Sequence, residues 1–229
     1  MKFGVLKFPG SNCDQDAYHT LRDVLDQPTE YLWHQDADLK NVDCVVVPGG
    51  FSYGDYLRCG AIARFSPAMI ATQEFASRGG LVLGICNGFQ VLCEAHLLPG
   101  ALLRNQNQKF VCKQIHLRAE NAETPWTNTL TPGQVLQVPI AHGEGNYVCD
   151  AETLKQLQDT NRVLFRYCYA DGTLADQSNP NGSADNIAGI ASADFNILGL
   201  MPHPERASDP ALGSADGRKI FESLLRFWR

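Results

Sequence analysis

Long hydrophobic runs are missing from this chain: no stretch of about 18 consecutive apolar residues occurs, so no segment has the make-up of a membrane span. Positive charge is also in short supply. Nineteen Lys and Arg stand against 25 Asp and Glu, giving a net charge of −6 and a pI near 5.5. That balance argues against nucleic acid or an anionic membrane surface as a partner, because both call for clustered Lys and Arg. No Gly-rich phosphate loop ending in Lys-Ser/Thr is present, so a nucleotide role for this chain is poorly supported. The eight cysteines (Cys13, Cys44, Cys59, Cys86, Cys93, Cys112, Cys149 and Cys168) contain no C-x-x-C pair, which removes zinc-ribbon and thioredoxin-like readings. Met1–Phe8 is too short and too interrupted by lysine for a signal peptide and reads as a first strand. The expectation is a cytoplasmic protein whose cysteines are reduced and mostly buried.

What is present is an ordinary globular composition, 44% hydrophobic and 19% charged over 229 residues, enough for a substantial core. Strand-like runs fall at Phe3–Phe8, Glu30–His34, Cys44–Val47, Leu81–Ile85, Phe110–Leu117, Val135–Ile140, Val163–Tyr169, Ile187–Ala191 and Ile197–Met201. Several are short, continuous and β-branched, the pattern of strands buried on both faces. Helical patterning fits Asp14–Leu25, Ala61–Ser77, Gly88–Ala95, Ala151–Thr160 and Ala215–Phe227. The alternation of β and α through the first hundred residues predicts parallel strands joined by right-handed crossovers. The strand-rich middle, roughly 109–170, predicts added antiparallel strands. The fold class is therefore α/β, a doubly wound, mostly parallel sheet with helices on both faces. Residues 1–229 are expected to form one domain, with ligands at the carboxyl ends of the strands.

The most telling local pattern is Gly84-Ile85-Cys86-Asn87-Gly88-Phe89-Gln90, directly after the apolar run Leu81–Leu83. A cysteine at a strand end, with a glycine two residues away on each side, has the layout of a nucleophile elbow, in which small neighbours let a strained strand-to-helix turn close. A helix beginning at Asn87 would favour the thiolate of Cys86 and point the Asn87 N–H at an oxyanion. A buried cysteine packed between strand and helix is the plainer alternative, and the paired glycines weigh against it. After the apolar run Ile197–Met201 comes Pro202-His203-Pro204-Glu205, a histidine aimed by flanking prolines with a carboxylate beside it. Cys, His and carboxylate are a nucleophile, its base and the group that orients the base. Pro48-Gly49-Gly50-Phe51 follows another strand and offers a second oxyanion donor, from Gly50 or Phe51. Ala141-His142-Gly143-Glu144-Gly145-Asn146 offers one His and one Glu with no third ligand, so no metal is expected, and it is placed at the mouth of the crevice.

Together these motifs resemble the triad-type (class I) glutamine amidotransferases. The family's G-x-C-x-G-x-Q is matched by Gly84, Cys86, Gly88 and Gln90, its glycine pair by Gly49-Gly50, and its H-P-E by His203-Pro204-Glu205. Within the family, Pro9–Asp14, Phe51–Ala63, Ala141–Asn146, Pro202–Arg206 and Gly213–Gly217 look like the separate small glutaminase subunits that serve purine synthesis. The resemblance implies that Cys86 attacks the side-chain amide of L-glutamine, that His203 oriented by Glu205 moves the protons, and that Asn87 with Gly50 or Phe51 holds the oxyanion. It implies substrate-positioning roles for Gln90 and the Gly50–Gly54 loop. It also implies a large synthetase subunit carrying ATP and Mg, a small accessory subunit, and ammonia passed on to amidate formylglycinamide ribonucleotide. No cofactor is expected in this chain. The Phe51–Ala63 segment is the expected signalling loop between subunits. Two other readings stay open at this point: a stand-alone cysteine γ-glutamyl hydrolase or peptidase on a similar fold, and a non-catalytic regulatory subunit.

Overall fold

Short runs of Val, Leu and Ile become strands buried on both faces, and they frame the molecule. The computed structural model describes all 229 residues. Its first half reads β1 (Phe3–Lys7), α1 (Asp14–His19, prolonged by a π-helical turn to Val24), β2 (Thr29–Trp33), β3 (Cys44–Val47), α2 (Pro67–Ser77), β4 (Leu81–Ile85) and α3 (Asn87–Glu94). The second half adds β5 (Ala101–Leu103), β6 (Val111–Ala119), β7 (Val135–His142), β8 (Asn146–Val148), α4 (Ala151–Asp159), β9 (Val163–Cys168), β10 (Ile187–Ala191), β11 (Ile197–Leu200) and α5 (Arg218–Trp228). Nine strands form one sheet in the order β2-β1-β3-β4-β11-β10-β9-β6-β7.

The sheet has two halves. From β2 to β11 every pairing is parallel; from β11 to β7 every pairing is antiparallel. All residues of β3, β4, β10 and β11 are buried, whereas β6 and β7 alternate toward solvent, as expected where one face is covered. The step from β1 to β2 runs one way along the sheet and the step from β3 to β4 the other. Right-handed crossovers therefore carry α1 and α2 to opposite faces, and the strand order switches between β1 and β3.

Three local expectations change. The helix expected over Ala61–Ser77 splits: Ala63–Phe65 is a 3-10 turn, and α2 starts where the Ser66 hydroxyl accepts from Met69 N at 3.3 Å with Pro67 in the first turn. The helix expected from Ala215 begins at Arg218, because Ser214 and Asp216 are engaged with β7. Ser214 Oγ donates to the Gln137 carbonyl at 2.8 Å, and Asp216 accepts from Gln137 N at 3.0 Å. The small β5–β8 ribbon had no signal in the sequence; each of its strands is three residues long.

β7 is one of the two edge strands of the sheet, β2 being the other, and it does not stay remote from the parallel half. Its Pro139 carbonyl accepts from the backbone N–H of His203, just past β11, at 2.9 Å. Four positions separate the two strands in the sheet, so the antiparallel half curls back over the carboxyl ends of the parallel one.

Candidate active site

At the end of β4 the chain turns at Cys86 with φ 50° and ψ −106°, a left-handed conformation that costs a non-glycine residue on the order of 1–3 kcal/mol. Two glycines make the turn possible. A Cβ on Gly84 would lie 2.8 Å from the Gly88 carbonyl oxygen, and one on Gly88 would overlap the Val47 carbonyl. With both absent, α3 seats directly against β3 and β4. Cys86 N donates to Leu200 O at 2.7 Å, binding the elbow to β11. The thiol thus stands at the N-terminus of α3, beside that helix's unpaired N–H groups. As the first residue of that helix, Asn87 has an N–H with no acceptor inside it.

His203 and Glu205 come from the segment after β11. Both side chains are buried, and His203 Nδ1 pairs with Glu205 Oε1 at 2.6 Å. That leaves His203 Nε2 without a hydrogen-bond partner. Burial pushes the imidazole toward neutrality, but the charges of Glu205 and Cys86 outweigh it and hold the His203 pKa well above its usual value. Cys86 and His203 line one cavity of about 410 Å³ together with Gly50, Phe51, Gln90 and the Ala141–Glu144 turn.

The donors around the thiol sort themselves by their existing bonds. No hydrogen bond uses the N–H of Gly50, whose φ of +142° belongs to the glycine-favouring region. The alternative donor expected from the sequence, Phe51, is corrected: its N–H is committed to the Gly10 carbonyl at 3.0 Å. Gly54 also differs from expectation. It does not line the cavity, and its N–H closes a turn on Phe51 O at 2.7 Å. Gln90 does line it, but its amide is bound within the protein: Nε2 donates to Glu144 O at 2.6 Å, and Oε1 accepts from Asn87 Nδ2 at 2.9 Å. Asn87 Oδ1 in turn accepts from Ser52 N at 3.0 Å, so one amide pair ties the elbow to both neighbouring loops.

Residues 1–223 match the family model for the CobB/CobQ-like glutamine amidotransferase domain. The chain belongs to that family. It is similar to an amidotransferase-family protein of Acaryochloris marina, the phosphoribosylformylglycinamidine synthase subunit PurQ, at 60% identity over 225 residues, 98% of this chain and 96% of the relative. The subunit of the same name from Moorella thermoacetica is 56% identical over 228 residues, covering 100% of this chain and 97% of its own. Among solved structures, PurLQS from Thermotoga maritima contains a chain that superposes with a TM-score of 0.88 at 42% identity, covering 100% of this chain and 99% of that one. A putative GMP synthase subunit from Thermoplasma acidophilum, 16% identical with a TM-score of 0.60, shares the fold.

Asn12, Cys13 and Arg206, from the motif segments Pro9–Asp14 and Pro202–Arg206, line the cavity behind His203 without having been given a role there. Two residues around the cavity, Asn105 and Asn181, had no local signal in the sequence. Asn105 binds the His142 turn from three sides: its Nδ2 donates to His142 O at 2.9 Å, while its Oδ1 accepts from Gly145 N at 3.0 Å and lies 3.1 Å from His142 Nδ1. Asn181 Nδ2 adds a bond to Gly145 O at 2.8 Å. Burial, with the nearby charge of His203, drives His142 down to about 4, so it is a neutral strut at neutral pH. The Asn-Pro-Asn-Gly stretch at 179–182 was a visible turn signal, but only the folded chain shows which turn it supports.

Proposed function

We propose that this chain is the glutaminase subunit of a phosphoribosylformylglycinamidine synthase, that Cys86, His203 and Glu205 are its catalytic residues, and that Gly50, Asn87 and Gln90 serve the substrate. The observation that carries the catalytic reading is the elbow thiol sharing one cavity with a histidine whose Nδ1 is held by a carboxylate and whose Nε2 is unengaged. The synthase reading is supported by full-length similarity to subunits of that name.

The chemistry follows from the geometry. Cys86 loses its proton to His203 Nε2, and Sγ attacks the carboxamide carbon of glutamine. The N–H groups of Asn87 and Gly50 donate to the developing oxyanion; each such donor is worth about 10²–10³ in rate. The imidazolium, steadied by Glu205, gives its proton to the departing nitrogen, and ammonia leaves. Water, deprotonated by the same imidazole, then opens the glutamyl thioester, releasing glutamate and restoring the thiol. Gln90 acts by fixing the Glu144 turn that walls the cavity.

The ammonia goes to a synthetase subunit, aided by a small accessory subunit, which uses ATP and Mg to turn formylglycinamide ribonucleotide into the amidine. No helix of this chain is long and apolar enough to cross a membrane, and a cytoplasmic location fits the pathway. The exposure of Tyr56 and Leu57, 73% and 83%, supports the Phe51–Ala63 loop as the signalling contact between subunits.

Glutamate release, with and without the synthetase, ATP and ribonucleotide, tests this for wild type and Cys86→Ala. Strong partner-dependent release that falls by about 10⁵–10⁶ in the variant, with ammonia-driven synthesis intact, is the expected result. Robust release without any partner would replace the reading with a free-standing hydrolase, and release that survives Cys86→Ala would remove the nucleophile.

A further inference from the structure

The cavity is lined by two further thiols, Cys13 and Cys59, that the glutaminase reaction leaves idle. Cys13, 3% exposed, lies behind His203. Gly49 makes room for the approach: a Cβ there would stand 2.8 Å from His203 Cε1 and 3.1 Å from Cys13 Sγ. One donor atom each from Cys13, His203 and Glu205 lie within 4.8 Å of one another, and all three residues are buried. Two donors in this group are orphans. His203 Nε2 and Glu205 Oε2 reach neither solvent nor a hydrogen-bond partner, a costly arrangement for buried polar atoms unless something engages them.

A sulfur, an imidazole nitrogen and a carboxylate oxygen are a donor set suited to zinc. Arg206 completes the surroundings. Its Nη2 donates to Cys13 Sγ at 3.2 Å while its Nε binds Asp16 at 2.9 Å. A guanidinium so placed orients the sulfur from outside the ligand set.

We propose that Cys13, His203 and Glu205 form a binding site for a thiophilic divalent cation of the zinc type, and that its occupation switches the glutaminase off. Tetrahedral zinc sets such donors roughly 3.3–3.6 Å apart, so pairs lying up to 4.8 Å apart would close by about 1 Å, and the 2.6 Å Nδ1–Oε1 contact would open by a similar amount where Nδ1 is the ligand. The Cys13 thiol proton leaves to solvent as the sulfur–metal bond forms, and no redox change is involved. The fourth position opens onto the cavity. A cation here takes the imidazole lone pair or displaces the Nδ1–Glu205 bond, and in either case Cys86 loses its base. Only this consequence rests on the glutaminase reading; binding itself does not.

The test is a titration of the reduced, metal-stripped full chain with Zn²⁺, with Co²⁺ as a spectroscopic probe of thiolate ligation, alongside glutamate release. Wild type and Cys86→Ala should each bind one ion with similar affinity. Cys13→Ser and Cys13→Ala should bind at least about tenfold more weakly, and the zinc concentration that half-inhibits glutamate release should rise by the same factor. Unchanged affinity in both Cys13 variants, loss of binding in Cys86→Ala, or no bound ion in wild type would overturn the site. Because cobalt ligation is read without turnover, failure of the metal site and failure of the glutaminase reading give different results.

Discussion

The two halves of the sheet each bring one buried histidine to the same cavity, and the two behave oppositely. His203, from the parallel half, is 1% exposed and has a raised pKa; His142, from the antiparallel half, is 3% exposed and is driven down to about 4. Burial is nearly equal, so burial does not decide the outcome. The partner does: a carboxylate faces His203, whereas the Asn105 and Asn181 amides face His142. One half supplies a histidine that holds its proton, the other a histidine that stays neutral. A low-dielectric pocket neutralises a histidine by default, and only a charge placed against it reverses the outcome.

Turning the first histidine into the second type is the sharpest way to break this comparison. Glu205→Gln replaces the carboxylate with an amide, and kcat for glutamate release should fall by about 10²–10⁴, with slower alkylation of Cys86. A loss under tenfold would mean that Glu205 does not set the state of the base. The reverse property is read in acid. A histidine whose folded pKa is depressed contributes stability above its unfolded pKa and loses it as pH falls toward the folded one. Between pH 6.5 and about 4 the unfolded chain takes up a proton at residue 142 that the folded chain refuses, which should cost about 3 kcal/mol of stability. Urea unfolding across that window should show the loss in wild type and a flatter profile in His142→Gln; identical slopes would sink the assignment.

Asn105→Ala should cost about 2 kcal/mol through unpaired buried groups and raise KM more than it lowers kcat, since it loosens the wall and leaves the triad in place. A kcat effect with KM unchanged would place the antiparallel half inside the chemistry. The smallest change is expected at Arg58, 64% exposed and paired with Glu94 at 2.6 Å. Arg58→Ala should move stability by less than about 1 kcal/mol while weakening the dependence of glutamate release on the synthetase. Equal coupling in variant and wild type would remove the loop from signalling.

Much of the parallel half was legible in the sequence, for a physical reason. Cys44–Val47, Leu81–Ile85 and Ile197–Leu200 are uninterrupted apolar runs that admit little but a doubly buried strand, and the glycines around Cys86 mark a turn that few other functions require. The wall was less legible. That β7 curls over the site depends on sheet order and twist, which no local pattern records. Cys13 sits in a visible motif, Pro9–Asp14, but nothing local ties it to its neighbour His203, 190 residues away in sequence (203 − 13). Phe51 shows the same limit on a smaller scale. Its N–H was a reasonable oxyanion donor until Gly10, from another loop, was seen to take it.

The open edge of β7 has a consequence of a different kind. Exposed strand edges invite pairing with other chains, and this one is closed at alternate residues by a single segment: Gln137 by Ser214 and Asp216, Pro139 by the backbone of His203. Pro139 also lacks the N–H that a foreign strand would need. The stretch that carries His203 is therefore the same stretch that keeps the molecule from templating its own aggregation, so damage at Ser214 or Asp216 would appear as insolubility as well as lost activity.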